Sequence, residues 1–128
     1  MSVHTVFDVA WLVGEGLPRE HGRDLLRLLG ALVRSNSLRD AARTCGLSYR
    51  YAWGVIGEGA RALGGPLVDM GRGRGARLTL LGRRLLDADQ HVREGLDPVF
   101  ERLRTVLRGI LAGAAASLLG TLPRLGLA

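Results

Sequence analysis

Two serines eleven residues apart, Ser37 and Ser48, each stand immediately before a stretch of helical spacing, with Gly46 between the stretches. A Ser side chain satisfies a free backbone N–H at a helix start, and Gly ends a helix by turning left-handed at little steric cost. The pattern predicts a short helix from Leu38 to about Cys45, a tight turn, and a longer helix over 48–64. The inward positions agree: Leu38, Ala41, Ala42 and Cys45 on the first, Leu47 in the turn, then Ala52, Val55, Ile56 and Leu63 on the second. Small Ala residues let two helices cross closely, so the segment frames a helix-turn-helix. Cys45, set among apolar positions, reads as a packing residue and not a nucleophile.

The flanks extend the pattern. Residues 5–13, TVFDVAWLV, are β-branched and aromatic and end at Gly14-Glu15-Gly16, which predicts a short strand and a turn. From Gly22 to Arg34, Leu25, Leu26, Leu28, Leu29, Leu32 and Val33 recur at helical spacing, with Arg23, Asp24, Arg27 and Arg34 on the opposite face. After Gly64-Gly65-Pro66 the run PLVDM–GRGRGA–RLTLLG reads as strand, flexible turn and strand. Thr79 is placed to cap a following helix whose apolar positions, Leu85, Ala88, Val92, Leu96, Val99, Leu103, Val106 and Ile110, are spaced by three or four. A small domain has few surfaces to cover such a seam, so pairing with a second copy is expected through Leu85, Val92, Leu96, Val99, Leu103, Val106 and Ile110. Gly95 and Asp97-Pro98 are expected to kink or divide this helix. The fold class is mainly α with a small β wing: a winged helix-turn-helix over 3–80, a linker and dimerisation helix over 81–112, and a tail over 113–128. The tail is read either as a frayed end or, from its PRLGLA close, as the approach to a strand of a further domain.

Charge narrows the function. The 128 residues hold eighteen Arg and no Lys against twelve carboxylates, a net +6. Residues 21–84 alone hold twelve Arg against four acids, a balance of +8, and the remainder holds six against eight, a balance of −2. An anionic partner for the central segment is implied. Absence of Lys excludes Schiff-base chemistry and the phosphate-gripping Lys of a P-loop. A single Cys excludes an internal disulfide and a Cys-rich zinc site, and the three His are isolated, so no metal site and no enzyme is expected. Asp87 and Asp89 read as solvated helix residues. With no basic leader, and with the longest uncharged run only the fifteen residues between Arg108 and Arg124, a cytoplasmic chain without a membrane span is expected.

The residues SLRDAARTCGLSYRYAW, followed after a spacer by GGPLVDMGRGRGARLTLLG, resemble the winged helix-turn-helix of the molybdate-responsive regulators of the ModE type, with the LysR-type regulators as more distant relatives. The resemblance covers about residues 3–110. Ser-Tyr-Arg followed by Ala-Trp at the start of the second helix is its most specific part. It implies a sequence-specific DNA-binding domain that dimerises through its linker helix and, in many members, carries a separate C-terminal sensor. Some members sense molybdate or tungstate. No group of residues here forms an oxyanion site, so such an effector is expected in a further domain and no cofactor within these residues. The chain departs from the pattern at Leu80, where the family usually has Pro, and in the glycines Gly54, Gly57 and Gly59 of the second helix. Each glycine costs about 1 kcal/mol of helix propensity, to be offset by packing or by close approach of another surface.

On this reading the second helix enters the major groove of double-stranded DNA and the wing, 71–77, reaches phosphates or the minor groove. Arg50 is the leading base reader, since a guanidinium bonds guanine O6 and N7 together. Tyr49 and Tyr51 offer hydroxyls to phosphate or rings to thymine methyls. Ser48 serves as cap and phosphate anchor, or as cap alone. Trp53 reads as a spacer against the backbone more than as a base contact. Arg39 and Arg43, four apart on one face, are placed to meet one phosphate strand, and Arg72, Arg74 and Arg77 of the wing to enter a narrow minor groove. Two alternatives share the same residues: a non-specific architectural DNA binder, and a protein-interaction module in which the Arg residues serve solubility.

Overall fold

The computed structural model describes residues 7, 9–71, 73 and 75–127, with side chains of the last helix described as far as residue 113. The order of elements is α1 (Arg19–Ser35), α2 (Leu38–Thr44), α3 (Tyr49–Leu63), β1 (Val68–Asp69), β2 (Arg77–Leu78) and α4 (Leu80–Leu127). The chain is mainly helical with one small antiparallel hairpin. It divides into two units, residues 8–91 and residues 1–7 with 92–128.

In the first unit α1 is the central rod. Leu25, Leu28, Leu29 and Leu32 form a fully buried stripe that meets Leu38, Ala41 and Ala42 of α2 and Ala52, Val55 and Ile56 of α3. Leu12 and Leu17 before α1, Leu67 and Ala76 of the hairpin and Leu85 of α4 complete this core. Both Ser caps form as the sequence reading expects: Ser37 Oγ accepts from Asp40 N at 3.2 Å and Ser48 Oγ from Tyr51 N at 3.1 Å. Between them Gly46 takes φ +69°, and Leu47 N donates to Ala42 O at 2.8 Å, closing the turn. Arg27 of α1 donates to Cys45 O at 3.1 Å and so ties α1 to the end of α2.

The hairpin is fixed to the end of α1. Asn36 ends that helix in the left-handed region at φ 54°, and its carbonyl accepts from Ala76 N at 2.9 Å. Gly75, at φ +65°, passes so near Asn36 O that a Cβ would overlap it. Val68 pairs with Leu78 and Asp69 with Arg77. Thr79 then turns the chain into α4, accepting from Gly82 N at 3.1 Å and donating to Pro66 O at 2.6 Å.

Several expectations are corrected. Residues 9–13 form no strand: Leu12 and Trp11 are anchored by side chains, with Gly22 of α1 passing beneath the Leu12 carbonyl where no Cβ fits. Trp11 Nε1 donates to Asp89 Oδ1 at 2.8 Å, so Asp89 is a buried acceptor and not a solvated helix residue. Only the Gly14–Leu17 turn closes, through two backbone hydrogen bonds of 3.1 and 3.0 Å. The first helix begins at Arg19, because Pro18 at its N-cap supplies the entry conformation without a donor to lose. Asp24 faces inward at 8% exposure, whereas Val33, at 61%, and Leu63 face outward. Each strand is two residues long. The last helix is not divided at Pro98, and it runs on to Leu127.

Candidate nucleic-acid interface

The two faces of α3 differ in kind. Ala52, Val55, Ile56 and Gly59 are buried; a Cβ on Gly59 would run into the Leu25 side chain and stand 3.0 Å from Leu67 Cδ1. That glycine therefore serves packing. Gly54 has no such reason, since a Cβ there meets nothing within 4 Å, and at Gly57 it would meet only the Arg61 guanidinium at 3.4 Å. The outward face thus pairs an open glycine with exposed Arg50, exposed Arg61 and Trp53 at 40% exposure. Among the described residues Arg50 makes no ion pair or hydrogen bond. A helix position whose propensity cost no internal packing offsets is one where another surface can approach the backbone. Ser48, which caps this helix, is itself exposed.

The predicted phosphate pair is separated by its neighbours. The Arg39 guanidinium lies over the Tyr49 ring, 4.5 Å from its centroid, while Arg43 turns to Asp40 at 3.8 Å, both of that pair exposed. Tyr49 is in turn met by Trp53, edge to face, at 6.2 Å and 88°. Tyr51 departs from its expected place. Its hydroxyl donates to Asp24 Oδ2 at 2.7 Å and is thus engaged within the fold. Burial, and then the hydrogen bond to Asp24, push its hydroxyl up to about 12 from the usual 10. The sequence held a signal for Asp24, which lies four residues before fully buried Leu28 on the apolar stripe. A second bridge from α1 to α3 lies beside it: His21 Nδ1 stands 2.6 Å from Glu58 Oε2, and the His21 ring meets Tyr51 edge-on at 5.3 Å. These contacts fix the roll of α3 about its axis, and so fix which residues face out. Cys45 is half-buried in packing, as expected, and burial raises its thiol pKa.

In the hairpin, Arg77 is exposed on β2 opposite Asp69, while Arg72 and Arg74 lie outside the described residues. The expected dimerisation seam is divided. Leu85 belongs to the core of the first unit at 7% exposure, because the first three turns of α4 pack within that unit. Val92 and Leu96 are half-buried, and Val99, Leu103, Val106 and Ile110 are exposed, the last two at 52% and 60%. Within the second unit Phe7 stacks on Phe100, with centroids 4.8 Å apart and planes 9° from parallel.

Among the described residues no group of three His, Cys, Asp or Glu side chains is placed to hold a metal ion, and no helix is long and apolar enough to cross a membrane. The fold and this surface define a mainly helical protein with one small antiparallel hairpin and an outward α3 face that carries Arg50, Trp53, Gly54 and Arg61. No family model matches the chain. It is similar to the molybdenum-pterin-binding protein MopA of Rhodobacter capsulatus, 41% identical over 75 residues, which are 56% of this chain and 28% of that protein. The chain thus spans little more than a quarter of the length of the curated relative it matches.

Proposed function

We propose that this chain is a winged helix-turn-helix DNA-binding domain of the ModE type, acting as a homodimer in sequence-specific regulation of transcription in the cytoplasm. The observation that carries the reading is the outward face of α3, where Arg50 has no partner among the described residues and Gly54 leaves the backbone open. In the major groove Arg50 reads a guanine edge, Gly54 lets the helix backbone come close, and Ser48 meets a phosphate at the helix start. Arg77 and the wing add sequence-independent phosphate contacts. Dimerisation runs through the exposed stripe Val99, Leu103, Val106 and Ile110, joined by Val92 and Leu96, and leaves Leu85 to the core.

Arg50→Ala and Arg77→Ala separate the roles. Loss of preference at one base position of each half-site is expected for the first. The second should weaken every duplex similarly and lower the salt slope by about 1. Equal losses on all sequences for Arg50→Ala contradict the assignment.

The similarity to a molybdenum-pterin-binding protein of R. capsulatus favours a second reading, in which the shared segment takes part in handling a molybdenum species. On the first reading such an effector is held by a further domain. Equilibrium dialysis of this chain against molybdate decides between them: no retention is expected on the first reading, and stoichiometric retention supports the second.

A further inference from the structure

Resting on the DNA-binding reading, we propose that Arg39 and Tyr49 act as one preassembled clamp for a single phosphodiester of duplex DNA, with Trp53 as its support. Arg39 is exposed on α2 and pairs with no carboxylate among the described residues, although Asp40 is its chain neighbour. Its guanidinium is instead held over the Tyr49 ring, 4.5 Å from the centroid, and that ring is braced edge-on by Trp53 one turn along α3. An arginine stacked on an aromatic face keeps its in-plane N–H donors, which match the two free oxygens of a phosphodiester. Holding it there before binding reduces the side-chain freedom lost on association.

The placement selects phosphate over base. In a helix-turn-helix the first helix crosses the DNA backbone while the second enters the groove, and Arg39 belongs to the first. One face of the Tyr49 ring is already taken by Arg39, so the ring is a platform and not a reader of thymine methyls. The clamp also joins α2 to the first turn of α3, which ties the phosphate contact to the depth at which Arg50 is presented.

The test is a double-mutant cycle on the full chain, read as binding to a mixed-sequence duplex of about 30 base pairs over a salt series. Arg39→Ala should weaken binding about tenfold and lower the salt slope by about 1. Tyr49→Leu should give most of the same loss in affinity, Tyr49→Phe little or none, and the Arg39→Ala/Tyr49→Leu double variant no more than Arg39→Ala alone. Arg39→Lys, at an exposed position where folding is not at stake, should keep the salt slope yet lose affinity, because the charge remains and the stacked plane does not. Additive losses in the double variant overturn the clamp, as does a Tyr49→Phe variant as weak as Tyr49→Leu, while the DNA-binding reading stands. A parent chain that binds no duplex even at low salt overturns both.

Discussion

Gly54→Ala is expected to make the protein more stable and a poorer DNA binder at once. A Cβ added at Gly54 meets nothing within 4 Å, so the substitution gains helix propensity with no packing penalty. The gain is about 0.8–1.0 kcal/mol for an interior helix position. For a domain of this size that raises the melting temperature by roughly 4–8 °C. On the DNA side, the added methyl stands on the face proposed to lie against base edges and holds the helix off the groove. The expected loss is about 1–3 kcal/mol, comparable to one wrong base pair in the site. Thermal melting by circular dichroism and fluorescence-anisotropy titration of one duplex give the two numbers. A variant that melts higher and binds as tightly as the parent refutes the claim that Gly54 faces DNA. One that melts lower refutes the claim that the position is open.

Gly59→Ala is the contrasting case: overlap with Leu25 and Leu67 outweighs the propensity gain, and a net loss of about 1 kcal/mol is expected in urea unfolding. Tyr51 gives a pH signature. Its hydroxyl is raised from the usual 10 to about 12 in the folded chain, so the stability it contributes is complete below pH 10 and is lost as pH rises through 12. Tyr51→Phe should abolish the tyrosinate absorbance step near pH 12 and flatten that alkaline decline; a step that survives assigns it to another group. Leu103→Glu with Val106→Glu should convert the proposed dimer to a monomer in sedimentation velocity, and a dimer that persists in this variant places the seam elsewhere.

Local rules carried the sequence reading a long way where the determinants are local. Ser37, Gly46 and Ser48 act within three or four residues of themselves, so caps and turn were readable from spacing alone. The charge of Asp24 points to the surface, although its spacing from Leu28 lies on the buried stripe; its acceptor role depends on Tyr51, twenty-seven residues away. Leu85 and Ile110 belong to one three-and-four pattern, which cannot distinguish a core of the same chain from a surface for a second one. Gly54, Gly57 and Gly59 are identical in sequence terms, and only the approach of Leu25 and Leu67 separates a packing glycine from an open one. Residues 9–13 have strand composition, yet among the described residues they pair with no strand; Leu12 and Trp11 pack into the helical core while Val9 and Val13 stay exposed.

Whether the outward face of α3 reads DNA sequence, as proposed, is decided by selection of binding sites from a random duplex pool at about 150 mM salt, where purely electrostatic binding is weakened. Enrichment of an inverted repeat with half-sites about one or two helical turns apart is expected, with loss of preference at one position of each half-site when Arg50 is replaced by Ala. Retained binding without any enriched sequence would contradict it and leave an architectural DNA binder in its place.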